Sequence, residues 1–176
     1  MSKFHLTDSE LSILKSLLNR KIFSIISNGI RIESDGFWNT ELSLDYCNKK
    51  IQSPEFQPFV TIEADYKLSN KSTTYFEFNI QENKTPPGIQ RDADSSLLWP
   101  FSELFINTRT LSKITIFQDW NEEDERVDFD RLILFEAGDT AFSIEATDSV
   151  TGGVTLRTDR QAIERITNEL AKRIEI

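Results

Sequence analysis

Apolar and polar residues alternate one for one along three long segments of the chain, and this pattern constrains the fold more than any other feature. The segments are 41–46, 60–68 and 75–80; in the first, Leu42 and Leu44 are flanked by polar residues. Successive side chains of a β-strand point to opposite faces of the sheet, so alternation is typical of antiparallel strands with one buried and one wet face. Parallel strands covered on both faces would show continuous apolar runs instead.

The dipeptide Asn28-Gly29 lies between two segments with strand-like composition, 21–27 and 30–34. Asn-Gly is the residue pair that most favours a two-residue hairpin turn, because both positions of that turn require a positive φ. A hairpin at this point would place Ile25 directly opposite Ile32. The sequence therefore predicts that these two side chains share one buried face.

Gly138-Asp139 favours a second two-residue turn, between strands at 129–137 and 140–147. The register that this turn imposes places Phe135 opposite Phe142, so the two strands would bury an aromatic pair on one face. We expect both rings to lie in the core.

Helical patterns occupy both ends of the chain. Thr7 and Glu10 form a capping-box pattern before leucines at helical spacing, which predicts a helix over 8–20. Apolar spacing predicts a second helix over 160–174 and a short internal helix over 97–106, for which an extended segment is the alternative.

These elements together predict an α+β fold. We expect a mostly antiparallel β-sheet of about seven or eight strands, which include further strands at 113–118 and 153–157. The N- and C-terminal helices and the short internal helix would pack on this sheet. A chain of 176 residues without a repeat or a linker-like segment is expected to form a single domain, 1–176.

Negative charge is concentrated in one part of the chain. Its formal net charge is −9, and the stretch 119–148 contains eleven acidic residues against two basic ones, Arg126 and Arg131. The remainder is therefore neutral in sum. Phosphate binding requires clustered lysine and arginine, so this distribution predicts no nucleic-acid partner and no binding to an anionic membrane surface. A basic protein or a cation is a compatible partner.

The chain contains one histidine, His5, and one cysteine, Cys47. Serine and cysteine hydrolases need a base beside the nucleophile, and His5 precedes the first predicted helix in a terminal segment. We therefore expect no catalytic residues, no enzyme activity, no cofactor and no metal site. A lone cysteine excludes a disulfide framework. The first residues contain no apolar stretch of signal-peptide length, which predicts a cytoplasmic protein.

Five carboxylates occupy the polar positions of the alternating segments. They are Glu41, Asp45, Glu63, Asp65 and Glu77. If the two strands around the 69–73 turn pair in the simplest register, Asp65 lies directly opposite Glu77. Like charges that face each other across a strand pair are unfavourable, so this arrangement would attract a cation or a proton. Neutralisation by Lys67, Lys71 and solvent is the alternative interpretation.

Trp120 lies within the acidic stretch, in a segment that we expect to form a polar loop. Tryptophan is enriched at the anchors of protein interfaces, and the surrounding charge would steer a basic partner. A tryptophan that folds back onto the sheet edge is the alternative. The predicted partner-binding residues are Asp119, Trp120, Glu122, Glu123, Asp124, Glu125, Asp128 and Asp130.

The sequence thus favours a non-enzymatic cytosolic protein-binding module with an acidic surface. Its profile, which is small, acidic and poor in catalytic residues, is similar in composition to that of bacterial immunity proteins, which block basic nuclease toxins. The resemblance implies an inhibitor or immunity-type protein for a basic partner. The alternative is a small-ligand carrier with an apolar cavity under a curved antiparallel sheet. A carboxylate- or metal-dependent enzyme is a more remote alternative.

Overall fold

A computed structural model describes residues 2–46, 59–88, 101–106, 108–147 and 152–176. These residues form thirteen strands and two helices. The strands are β1 (Ser2–Phe4), β2 (Ser24–Ser27), β3 (Arg31–Ile32), β4 (Phe37–Asn39), β5 (Glu41–Asp45), β6 (Phe59–Leu68), β7 (Thr74–Asn83), β8 (Ser102–Phe105), β9 (Lys113–Asn121), β10 (Val127–Ala137), β11 (Thr140–Ala146), β12 (Val154–Arg157) and β13 (Ala171–Glu175). The helices are α1 (Asp8–Ser16) and α2 (Arg160–Glu169).

The strands form two sheets. An eight-stranded sheet has the order β13-β9-β10-β11-β12-β4-β3, with β1 beside the first residues of β10, and a five-stranded sheet has the order β7-β6-β5-β2-β8. Among the described pairs only β1 and β10 are parallel. The prediction of a mostly antiparallel α+β fold is confirmed, whereas the prediction of one sheet with about seven or eight strands was wrong.

One hydrophobic core contains residues of both sheets and of α1. Leu14 of the helix, Ile25 and Ile62 of the five-stranded sheet, and Ile133 and Phe135 of the eight-stranded sheet have no exposed surface. Burial of a side chain of this size contributes roughly 1.5–3 kcal/mol. Apolar side chains from both sheets and from α1 therefore hold the sheets together.

The Gly138-Asp139 turn forms as predicted. Gly138 has a φ of +68°, and the register of β10 and β11 places Phe135 opposite Phe142. The two rings are stacked with their centroids 4.6 Å apart, and both are buried. This hairpin forms because its turn, its alternation and its aromatic pair all favour one register.

The predicted hairpin at Asn28-Gly29 was wrong. β2 lies between β5 and β8, so Ile25 pairs with Leu44 on one side and with Leu104 on the other. Ile32 belongs to β3 in the other sheet and is 80% exposed. All four residues of β2 are buried. The strands β5 and β8 thus occupy both edges of β2, and neither edge is left for residues 30–34.

The N-terminal helix begins as predicted and ends early. The Thr7 hydroxyl accepts a hydrogen bond from the Glu10 amide at 3.3 Å, and the Glu10 carboxylate accepts one from the Thr7 amide at 2.8 Å. This capping box fixes the first turn of α1. The helix ends at Ser16 rather than at residue 20, and Leu17 caps it.

The other two helix predictions were wrong in part. Residues 102–105 of the predicted internal helix form β8, the extended alternative, and residues 97–100 lie outside the described residues. The last helix starts after the N-cap Asp159 but ends at Glu169, and β13 replaces its final turn. Strand pairing with β2 and β9 overrides the local helical pattern in these two places.

Candidate functional site

The acidic stretch is mostly strand rather than loop. β9 continues through Asn121 and β10 begins at Val127, so only residues 122–126 form the connection, which we call the acidic turn. Asp119 and Trp120 therefore stand on a regular strand, where the ladder to β10 fixes their positions.

Hydrogen bonds hold the acidic turn against the β6–β7 connection. The Thr73 hydroxyl accepts from the backbone amides of Asp124 and Glu125 at 3.2 and 3.0 Å. The Asn121 side-chain amide donates to the Thr74 hydroxyl at 2.6 Å. Thr73 is buried and joins two segments far apart in the sequence. The turn therefore presents its carboxylates from a fixed backbone.

Trp120 is 47% exposed. It pairs with Asp128 in the β9–β10 ladder, and the guanidinium of Arg126 lies 5.4 Å from the centroid of its ring. Its backbone amide donates to the Asp119 carboxylate at 2.9 Å. An indole that is held by a strand and half exposed has little conformational entropy to lose when a partner covers it.

The carboxylates of the acidic turn are incompletely neutralised. Arg126 bonds Glu122 at 3.2 Å. Glu123 accepts from the Thr74 amide, and Glu125 accepts from the Ser2 hydroxyl. Among the described residues no lysine or arginine forms an ion pair with the three carboxylates that follow Glu122, which are Glu123, Asp124 and Glu125. The turn therefore carries a net negative charge at the surface.

Two of the predicted partner-binding residues, Asp128 and Asp130, are buried. Asp130 is 2% exposed; it binds Arg173 through both oxygens, at 2.6 and 2.8 Å, and accepts the Leu6 amide at 2.7 Å. Asp128 is 5% exposed and binds Arg126 at 2.9 Å. Both carboxylates are bonded to arginines of the same chain.

A second exposed apolar side chain lies beside the acidic turn. Leu68, at the end of β6, is 58% exposed and pairs with Thr74, the residue bonded to Asn121. The alternation of residues 60–68 suggested an inward position for Leu68. It is exposed because β6 extends past the core at this end. We call Trp120, Leu68 and the acidic turn together the acidic end.

The carboxylates of β5, β6 and β7 face each other across the strands. The predicted register of Asp65 opposite Glu77 is confirmed, and Glu41 lies opposite Glu63. Lys67 forms an ion pair with Asp65 at 3.1 Å. Asp45, the fifth member of the set, is buried on β5. The polar face of this sheet thus adds negative charge beside the acidic end.

Burial and the neighbouring charge of Glu63 raise the pKa of Glu41 above its ordinary value. The Asn28 side-chain amide donates to Glu41 at 3.0 Å, and that of Asn79 donates to Glu63. Folding therefore favours the protonated form of Glu41. Its contribution to stability is largest below the ordinary glutamate pKa and is lost as the pH rises through the raised value.

Replacing Glu41 with glutamine should raise the Tm at pH 7 by about 1–3 °C, because it removes the repulsion and retains an acceptor for Asn28. The gain should disappear below about pH 4, where Glu41, whose pKa is raised, is itself protonated. Thermal melts at the two pH values measure this difference. Glu82→Gln, an exposed change on β7, is the matched control. An equal gain at both pH values would contradict the repulsion.

Of the two residues considered for nucleophilic chemistry, the structure describes His5 but not Cys47. The Nε2 atom of His5 is buried and has no hydrogen-bond partner among them. Burial lowers the pKa of His5, and the charge of Arg173 lowers it further, against the opposing effect of Asp130. Cys47 lies outside the described residues.

Within the described ranges, no group of three or more His, Cys, Asp or Glu side chains is placed to hold a metal ion. No helix in the same part of the chain has both the length and the apolar character needed to cross a membrane. Comparison with protein-family models, with curated proteins and with solved structures found no match.

Proposed function

We propose that this protein is a non-enzymatic binding module that captures a basic protein partner at its acidic end, in the manner of an inhibitor or immunity-type protein. One observation carries the proposal: Trp120 is half exposed on a rigid strand and stands next to a turn of incompletely paired carboxylates. Trp120 is the anchor, and the carboxylates supply the attraction.

The two parts act at different stages of binding. Clustered negative charge raises the rate at which a basic partner arrives, and salt weakens this effect. An aromatic anchor that becomes fully desolvated slows dissociation instead. Leu68 extends the apolar contact, and the carboxylates of β6 and β7 extend the negative field beyond the acidic turn.

The proposal is tested by capture from the source cells at low and high salt, with the bound proteins identified by mass spectrometry and their binding kinetics measured. Trp120→Ala should weaken affinity by on the order of 2 kcal/mol, about 30-fold, mainly through faster dissociation. Ile32→Ala, which truncates an exposed apolar side chain on β3, is the matched control. Loss of protein stability in Trp120→Ala, without loss of affinity, would contradict the anchor role.

Neutralising the acidic turn should give a different kinetic result. The quadruple variant Glu122→Gln, Glu123→Gln, Asp124→Asn and Glu125→Gln should slow association at low salt and leave dissociation nearly unchanged. The control neutralises the same number of charges elsewhere, at Glu33, Glu82, Glu164 and Glu169. Equal association rates for the two quadruple variants would show that net charge alone, rather than the acidic turn, attracts the partner.

A further inference from the structure

A groove of about 500 Å³ lies at the opposite end of β10 from the acidic turn. Its walls come from β8 and the residues after it, from the β10–β11 turn, and from α2. The strand β10 has eleven residues, so roughly 35 Å separate its ends. The groove is therefore independent of the acidic end and of the function proposed for it.

The interior of the groove is apolar. Two aromatic rings and several aliphatic side chains from both sheets and α2 line it, among them Phe37, Leu104, Phe105, Leu134 and Ile163. Phe105 is 75% exposed at the rim. A concave apolar surface of this volume falls within the size range of small-molecule sites, which is about 300–1,000 Å³.

Each charged side chain at the rim of the groove forms an ion pair with another side chain of the protein. Three ion pairs surround the opening, namely Lys113–Glu136 at 2.7 Å, Arg109–Asp139 at 3.4 Å and Arg160–Glu164 at 3.0 Å. A charged ligand would have to break one of these pairs to gain a partner.

Three of the four threonine hydroxyls in the wall form hydrogen bonds within the protein, and the fourth belongs to the exposed Thr158. Thr140 donates to the Ala137 carbonyl at 2.8 Å, Thr167 donates to the Ile163 carbonyl at 2.9 Å, and the Thr108 hydroxyl accepts the Ile22 amide at 2.9 Å. These bonds leave the wall with little capacity to recognise a strongly polar ligand, so its main contribution to binding is removal of apolar surface from water.

From the apolar lining and the balanced rim, we propose that the groove binds an uncharged, largely apolar small molecule. The ligand would lie against the partly exposed side chains of Phe37 and Leu134 and would cover the exposed ring of Phe105. Burial of apolar surface drives the binding, so affinity is insensitive to salt, in contrast to binding at the acidic end.

The test uses Nile red, an uncharged dye whose emission shifts to the blue and brightens in apolar surroundings. The protein should bind it saturably at one dye per chain, and more tightly than the anionic dye anilinonaphthalene sulfonate. Ala141→Trp fills the groove and should weaken binding by about tenfold or more. The matched control, Ala171→Trp on β13, should stay within about twofold of the parent protein.

A second pair of variants keeps the test valid if the Ala141 variant does not fold. Phe105→Ser and Ile32→Ser each remove a large exposed side chain, but only Phe105 lines the groove. Phe105→Ser should weaken Nile red binding by about threefold or more, and Ile32→Ser should not. Non-saturable binding, preference for the anionic dye, or equal binding by both members of each pair would overturn the proposal.

Discussion

Replacing Asp130 with alanine should lower the free energy of unfolding by about 3–5 kcal/mol. The Asp130 carboxylate is almost completely buried and binds the Arg173 guanidinium through both of its oxygens. One of these oxygens also accepts the Leu6 amide. The substitution therefore leaves a guanidinium that is 18% exposed and a buried amide without their acceptor.

Asp130→Ala should also loosen two strands in particular. Leu6 follows β1 and Arg173 belongs to β13, so the carboxylate fastens segments near both ends of the chain to β10. Urea unfolding with an unchanged m-value measures the global loss, and amide hydrogen exchange should show faster exchange in β1 and β13.

Asp119→Ala is the matched control for Asp130→Ala. Asp119 lies in the same ladder, and its carboxylate accepts the amide of the next residue at the surface. The Asp119→Ala change should lower the free energy of unfolding by less than about 1 kcal/mol. Equal losses in the two variants would show that Asp130 contributes no more than a surface carboxylate.

The parts of the fold that the sequence predicts are those that neighbouring residues determine. The Gly138-Asp139 hairpin, the capping box at Thr7 and the Asp65–Glu77 register depend on residues close in the chain. Asn28-Gly29 has an equally strong local signal. It does not form a hairpin because distant strands at 41–45 and 102–105 pair with β2 instead.

In the candidate site, too, the sequence predicted what neighbouring residues determine and missed what distant contacts determine. The sequence identified Trp120 as a possible anchor, and the fold leaves it half exposed. It grouped Asp130 with these exposed residues because the neighbouring stretch 119–125, with five acidic residues in seven positions, suggests a solvated segment. The residue that neutralises Asp130, Arg173, lies 43 positions away, beyond a helix. The groove also could not be predicted, because its walls meet only after β8, β10 and α2 have packed together.

A second large loss of stability is expected from Glu145→Ala, at about 3–5 kcal/mol. Glu145 on β11 is 7% exposed and lies between two arginines of neighbouring strands. Its carboxylate accepts from Arg131 of β10 at 3.1 Å and from Arg157 of β12. Arg157 also contacts Asp35, but Glu145 is the carboxylate that both arginines share.

Removing Glu145 leaves two poorly exposed guanidinium groups of like charge without their common partner. The control, Glu136→Ala, removes a glutamate on β10 whose ion pair with Lys113 is more exposed. It should lower the free energy of unfolding by less than about 1 kcal/mol. Glu145→Gln should be nearly as harmful as Glu145→Ala, because the defect is the missing charge rather than a cavity.

The triple variant Arg131→Met, Glu145→Met and Arg157→Met distinguishes these causes. It removes the arginines together with their partner, so it should recover most of the stability that Glu145→Ala loses, because apolar side chains of similar volume avoid the cost of burying charge. Denaturant unfolding of the four variants side by side measures the differences. If the triple variant is as unstable as Glu145→Ala, the ionic network stabilises the adjacent strands through its specific hydrogen bonds, and uncompensated charge is not the cause.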